Sequence, residues 1–149
     1  MPSDRISLVD FDLQRADELV QMWRASFESG VGIVDPHPLA QQKNHLLTEV
    51  VPNCETRVAL QGERIVGFIA ATRTSVSQLY VEVESKRQGI GTMMLDWAKG
   101  QSEGSLWLYT FQRNLDAQAF YEHHGFEIVE RGFEETWQLA DIKYQWKAQ

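Results

Sequence analysis

Hydrophobic periodicity changes several times along the chain, and each change marks an element. Ile6 to Asp10 predicts a first strand, and Asp12 offers a cap for the helix that follows. Ala16, Leu19, Val20, Trp23 and Phe27 then recur at helical spacing on one face. Glu28 to Pro38 holds two glycines and two prolines and predicts a loop. A second helix is expected from near Leu39, burying Leu46, Leu47 and Val50 and stopping at Pro52. Thr56 to Leu60 and Arg64 to Thr72 predict a hairpin that turns at Gln61-Gly62-Glu63, and Gln78 to Val83 a further strand.

The pattern then returns to helical spacing. Ile90, Met93, Met94, Trp97 and Ala98 form one stripe, with Gly100 and Gly104 ending the helix. Ser105 to Phe111 is a strand, and Asn114 caps a helix over Leu115 to His124 that Gly125 closes. Phe126 to Arg131 and Thr136 to Trp146 predict a last hairpin. Trp137 and Leu139 keep one phase while Ile142, Tyr144 and Trp146 keep the other, which predicts a bulge near Ala140 or Asp141. The order β-α-α-β-β-β-α-β-α-β-β predicts an α/β fold, a mixed sheet with helices on both faces.

Composition narrows the setting. The 149 residues suit one domain over 1–149, large enough to fold without a disulfide or a metal. The single cysteine, Cys54, rules out an intrachain disulfide framework and argues against a thiolate zinc site, so no metal is expected. No apolar stretch approaches the roughly 20 residues that span a bilayer. MPSDRISLVD has no apolar leader core. A cytoplasmic protein without a membrane partner is therefore expected. A net charge of -7 argues against nucleic acid as a partner, because a basic face supplies most of that affinity, and it fits a small-molecule enzyme or a protein with cationic substrates.

Candidate chemistry concentrates in LYVEVESKRQGIGTMML. Gly89 and Gly91 fall where a helix begins. The first N–H groups of a helix lack internal partners and lie at its positive end, where a phosphate binds readily. Lys86 and Arg87 add positive charge at the same turn of an acidic chain. The plain alternative is a tight turn with a solvated basic pair. No Gly-Lys-Ser/Thr follows, so this is not a Walker loop, and Met94 stands where a dinucleotide fingerprint needs its third glycine.

About two dozen residues on stands LWLYTFQRNLDAQAFYEHHGFEIVE. Together the two stretches resemble the GCN5-related N-acetyltransferases (GNAT). The first is similar to that family's acyl-coenzyme A signature. The second matches its N-x-x-A-x-x-FYE-x-x-GF hallmark at Asn114, Ala117, Phe120, Tyr121, Glu122, Gly125 and Phe126. The resemblance implies acetyl transfer from acetyl-coenzyme A to a primary amine of a small molecule or peptide, through a ternary complex. It implies that strand 78–83 splays from strand 105–111, with pantetheine in the gap. The backbones of Leu79, Tyr80, Val81 and Val83 would pair with pantetheine. The backbone N–H groups of Arg87, Gln88, Gly89, Ile90, Gly91 and Thr92 would hold the pyrophosphate. Asn114 would bond the pantetheine arm. Lys86 departs from the family's usual Gln or Arg; it keeps the charge but lacks a planar fork.

Tyr121 would protonate the leaving thiolate, since a phenol of pKa about 10 can still donate near neutral pH. Its alternative is a packed aromatic. The acceptor amine needs a base or a desolvated site. Some family members use a Glu on strand 105–111, where Tyr109 stands, so Glu82 becomes the candidate base, against a solvated strand-end residue. Glu28, Asp35 and His37 lie in the loop that would line the acceptor pocket. A monomer or a homodimer is expected. Two other readings remain at this point. A non-catalytic acyl-coenzyme A sensor on the same fold has no need of Tyr121. A structural domain whose Gly-x-Gly is only a turn predicts no coenzyme binding.

Overall fold

A computed structural model describes residues 5–149; the residues before Arg5, part of the stretch inspected for a leader, lie outside the described residues. Strand β1 (Ile6–Asp10) leads to a short turn in which Asp12 accepts the Gln14 N–H, and then to α1 (Ala16–Val31). The helix runs past Glu28 because Phe27 and Val31 continue its buried stripe. Glu28 is thus helical, where a loop was expected. Next come α2 (Leu39–His45), a π-helical turn (Leu46–Val50) and α3 (Val51–Asn53). Pro52 follows directly on the π-helical turn, and the helical run ends one residue after it, at Asn53.

Strands β2 (Glu55–Gln61), β3 (Arg64–Ala71) and β4 (Val76–Val81) join β1 in an antiparallel sheet ordered β1-β2-β3-β4. Helix α4 (Ile90–Gln101) precedes β5 (Ser105–Phe111), and α5 (Leu115–His123) follows it. Then β6 (Glu127–Glu134) and β7 (Leu139–Lys147) complete a second antiparallel sheet, ordered β5-β7-β6. The two sheets meet at a seam. Ser75 bridges Trp107 in parallel, and the Trp107 N–H donates to Thr74 O at 3.0 Å. Beyond that bridge, no ladder pair joins β4 to β5 among the described residues.

Two cores cover the two faces. Helix α1 and the π-helical turn pack on Val58, Leu60, Ile65, Phe68 and Ala70. Helices α4 and α5 pack on Ala59, Val66, Ile69, Leu106, Leu108, Ile142 and Tyr144. Each fully buried Val, Leu, Ile or Phe among them contributes about 1.5–3 kcal/mol. The double facing also accounts for the last strand. Leu139 packs with the α1 core and Ile142 and Tyr144 with the α4–α5 core, so both phases are apolar without a slip. The register is continuous along β7, and the irregularity lies in β6 between Ile128 and Glu130.

Candidate active site

Where β4 and β5 part, a cleft of about 320 Å³ opens. Gln78, Leu79 and Tyr80 line one side, Leu108 to Phe111 the other, and Asn114, Tyr121, Glu134 and Asp141 complete the wall. A groove of about 400 Å³ shares Leu79, Tyr80, Asn114 and Tyr121 with it. The groove continues over Val81, Lys86, Arg87, Gly89, Ile90, Gly91 and Thr92. Val83 and Gln88 line neither, because β4 ends at Val81 and the chain enters a 3-10 turn (Val83–Ser85).

The turn before α4 is shaped for an anion. Gly89 holds φ +80°, which L side chains rarely adopt, and a Cβ added there would meet nothing within 4 Å. Met93 donates to Gly89 O at 3.0 Å, so the Ile90, Gly91 and Thr92 N–H groups precede the helical ladder. Gly91 has a different duty from the one expected: its Cβ would lie 3.1 Å from the Phe120 ring, so it admits α5 rather than a ligand. Thr92 Oγ1 lies 3.1 Å from His124 Nε2, which ties the start of α4 to the end of α5. Burial lowers the His124 pKa, with Lys99 and His123 acting in the same direction, so the cationic imidazole expected of a helix end is disfavoured.

Tyr121 is 7% exposed and faces both spaces. No hydrogen bond from its hydroxyl is found among the described residues. Burial, reinforced by Tyr80, pushes its phenol well above the ordinary value, so it stays protonated through the neutral range. Burial likewise pushes Tyr80 up to about 12, against a hydrogen bond with Trp23. Asn114 caps α5, its Oδ1 accepting the Ala117 N–H at 3.1 Å. Its Nδ2 stands 2.8 Å from where a Cβ on Gly30 would be.

A third cavity, of about 450 Å³, lies on the α1 side. Trp23, Phe27, Tyr80, Phe111 and Trp137 wall it, with Asp35, His37, His45 and Glu134. His37 Nδ1 lies 2.7 Å from Asp35 Oδ1, and Arg24 Nε holds the same carboxylate at 3.2 Å. Glu28 lines none of these three cavities. Its Oε2 accepts the Asp35 N–H at 2.7 Å and so fixes the loop from the helix side. Glu82 also lines none of the three. Its Oε1 accepts from Ser85 Oγ at 2.7 Å and pairs with Arg64 at 3.3 Å, because the chain turns there instead of extending β4. Tyr109 sits on the cleft wall, with Lys143 Nζ 5.8 Å from its ring centre. Burial raises the Cys54 thiol pKa, which suits an inert cysteine.

The description "Acetyltransferase (GNAT) domain" fits residues 52–128, half of the chain. The chain belongs to the GNAT acetyltransferase family. It is thereby an acyltransferase. The peptidyl-lysine N-acetyltransferase YjaB of Salmonella typhimurium is 24% identical over 119 residues, covering 79% of this chain and 81% of that protein. The apo solution structure of YjaB from Escherichia coli superposes with a TM-score of 0.79 at 18% identity, over 97% of this chain and 99% of that one. The PaiA N-acetyltransferase of Thermoplasma acidophilum, solved with coenzyme A, gives 0.76 at 19% identity, over 96% and 99%.

Several wall residues of this GNAT chain were not singled out from the sequence. Trp23 and Phe27 look like core on a helical stripe, and they are buried, yet one edge of each faces the third cavity. Glu134 and Asp141 lie on β6 and β7, outside both stretches quoted above; the signal for Glu134 is the alternation Glu130-x-Gly132-x-Glu134.

Proposed function

We propose that the chain works as a single-domain, acetyl-coenzyme A-dependent N-acetyltransferase. It would move the acetyl group to a primary amine of a small molecule or peptide by direct attack within a ternary complex. The observation that carries this reading is Tyr121: a buried phenol, without a hydrogen-bond partner among the described residues, shared by the β4–β5 cleft and the groove that leads to the Gly89 turn.

The residues present fit the coenzyme. Open space beyond Gly89 and the free N–H groups of Ile90, Gly91 and Thr92 suit a pyrophosphate, with Lys86 and Arg87 on the same groove. The unpaired edge of β4 at Leu79, Tyr80 and Val81 suits the amides of a pantetheine arm. Asn114 keeps its Nδ2 available beside that edge while Oδ1 caps α5. Acetyl-coenzyme A supplies an activated thioester. Tyr121 donates its proton to the departing sulfur, a role for which a phenol held neutral is suited. The aromatic cavity between α1 and the β6–β7 turn receives the acceptor, with His37 and Asp35 on its wall. The similarity to an enzyme named for peptidyl-lysine supports a primary amine as the acceptor.

Tyr121→Phe tests the reading, because it keeps the ring and removes only the hydroxyl. Turnover of acetyl-coenzyme A, followed as free thiol release, should fall roughly 10²–10⁴-fold with acetyl-coenzyme A affinity retained. A fall of less than about threefold with chemistry rate-limiting would assign the proton to another donor.

A further inference from the structure

On β6, Gly132 stands between Glu130 and Glu134, and the register sets it opposite Asp141 of β7. Side chains alternate along a strand, so Glu130, Glu134 and Asp141 share one face. A Cβ on Gly132 would lie 3.0 Å from Asp141 Oδ1, so the glycine leaves room for that carboxylate. The two glutamates are its diagonal neighbours. Burial, then the charges of Glu134 and Glu130, hold Asp141 above the ordinary carboxylate range. Glu134 goes the other way. Burial raises it, but the Trp137 and Thr136 N–H groups, at 2.6 and 3.1 Å, prevail and hold it below. Two carboxylates pushed apart in this way are suited to different tasks.

Their placement is independent of that electrostatic contrast. Asp141 lines the β4–β5 cleft together with the buried Tyr121. Glu134 lines both the cleft and the aromatic cavity, so it stands where the two meet. Trp137, whose N–H holds Glu134, walls that cavity with Trp23 and Phe27, and such rings attract cations. Lys143 on the same strand and Tyr109 on β5 share the face of Asp141, and Tyr121 of α5 lines the same cleft. Lys143 lies over the Trp107 and Tyr109 rings, at 5.0 and 5.8 Å. No ion pair to Asp141 or Glu134 is found among the described residues. Both lie outside the span matched by the family model, 52–128.

We propose that these two carboxylates divide the handling of the acceptor: Glu134, anchored where the cavities meet, receives an alkylammonium, and Asp141, which lines the cleft with Tyr121, takes its proton. This rests on the acetyl-transfer reading above. One proton passes from the ammonium nitrogen to an Asp141 oxygen and then to solvent. The freed lone pair forms the C–N bond to the acetyl carbon as the C–S bond breaks. Sulfur takes the Tyr121 proton, and the second proton shed by nitrogen restores the phenol. Each turnover thus releases one proton to solvent.

The test compares wild type, Asp141→Asn and Glu134→Gln at saturating acetyl-coenzyme A, with a lysine-containing peptide, putrescine and an uncharged arylamine as acceptors. Asp141→Asn should lower kcat roughly 10²–10⁴-fold at neutral pH and regain much of it in mildly alkaline buffer, where solvent deprotonates the amine. Glu134→Gln should raise the acceptor KM roughly tenfold with the pH profile of kcat kept. A rate with either acceptor supports the proposal and selects its source. Turnover confined to an uncharged arylamine overturns it, as does an Asp141→Asn rate that is unchanged at neutral pH or lost equally at every pH. Thermal stabilisation by acetyl-coenzyme A should survive in both variants. Its absence in the wild type would instead sink the acetyl-transfer reading.

Discussion

Replacing Gly30 by alanine sets two effects of known size against each other. Gly30 lies inside α1, where alanine is the better helix former by about 0.8–1.0 kcal/mol. The added Cβ would stand 2.8 Å from Asn114 Nδ2 and 3.3 Å from its Cγ. Asn114 is pinned by the Ala117 N–H, and losing a cap of this kind costs about 0.5–2 kcal/mol. The expected net effect therefore runs from a gain of about 0.5 kcal/mol to a loss of about 1.2 kcal/mol, short of the full helical increment. In an Asn114→Ala background both obstacles are gone, and the same Gly30→Ala change should stabilise by about 0.8–1.0 kcal/mol. Urea unfolding of the wild type, the two single variants and the double variant measures the coupling, expected at about 0.5–2 kcal/mol. The single variant should also bind acetyl-coenzyme A more weakly, because Asn114 is displaced from the groove. Additive effects, with Gly30→Ala alone gaining the full helical increment and binding undisturbed, would refute the contact.

Acetyl-coenzyme A at about 100 times its dissociation constant should stabilise the fold by roughly 2.7 kcal/mol, read as a higher melting temperature. Gly89→Glu should abolish that rise, at a backbone cost of about 1–2 kcal/mol for a left-handed L residue. Gly89→Ala has the same strain without the charge and should keep part of the rise; an equal loss would point to strain rather than an occupied pyrophosphate site. His124 titrates below its unfolded value, so the unfolded chain binds its proton first as pH falls. Stability should be full above about pH 6.5 and decline as pH drops through that value. His124→Gln should flatten that part of the urea-midpoint curve, and an unchanged slope would assign it to other groups.

Local chemistry made much of the fold legible. The Asn114 cap, the Gly89 turn and the α4 stripe each depend on neighbours within a few residues, and each stands where it was expected. Features that depend on distant partners were harder to see. The end of α1 was misplaced because Gly30 looks like a helix breaker, whereas it makes room for Asn114, which lies far along the chain. The two apolar phases before Trp146 suggested a slip because a strand packed on both faces shows no single alternation. Glu82 was favoured for its nearness in sequence to the cleft, but Arg64 and Ser85 engage it once β4 stops at Val81. Asp141 and Glu134 meet the cleft only through the register of β6 on β7, which a sequence without its turn geometry leaves open.

The seam between β4 and β5 has a mechanical consequence. A continuous sheet transmits load through its ladder, but here the two halves are fastened at one end, around Ser75 and Trp107, and are free at the other. Every second amide of β4 beyond Val76 points away from β3 and into the gap. Those amides should exchange with deuterated solvent faster than their neighbours in the empty protein. A bound arm that pairs with them would act as a rivet, slowing their exchange and making the two half-sheets unfold together.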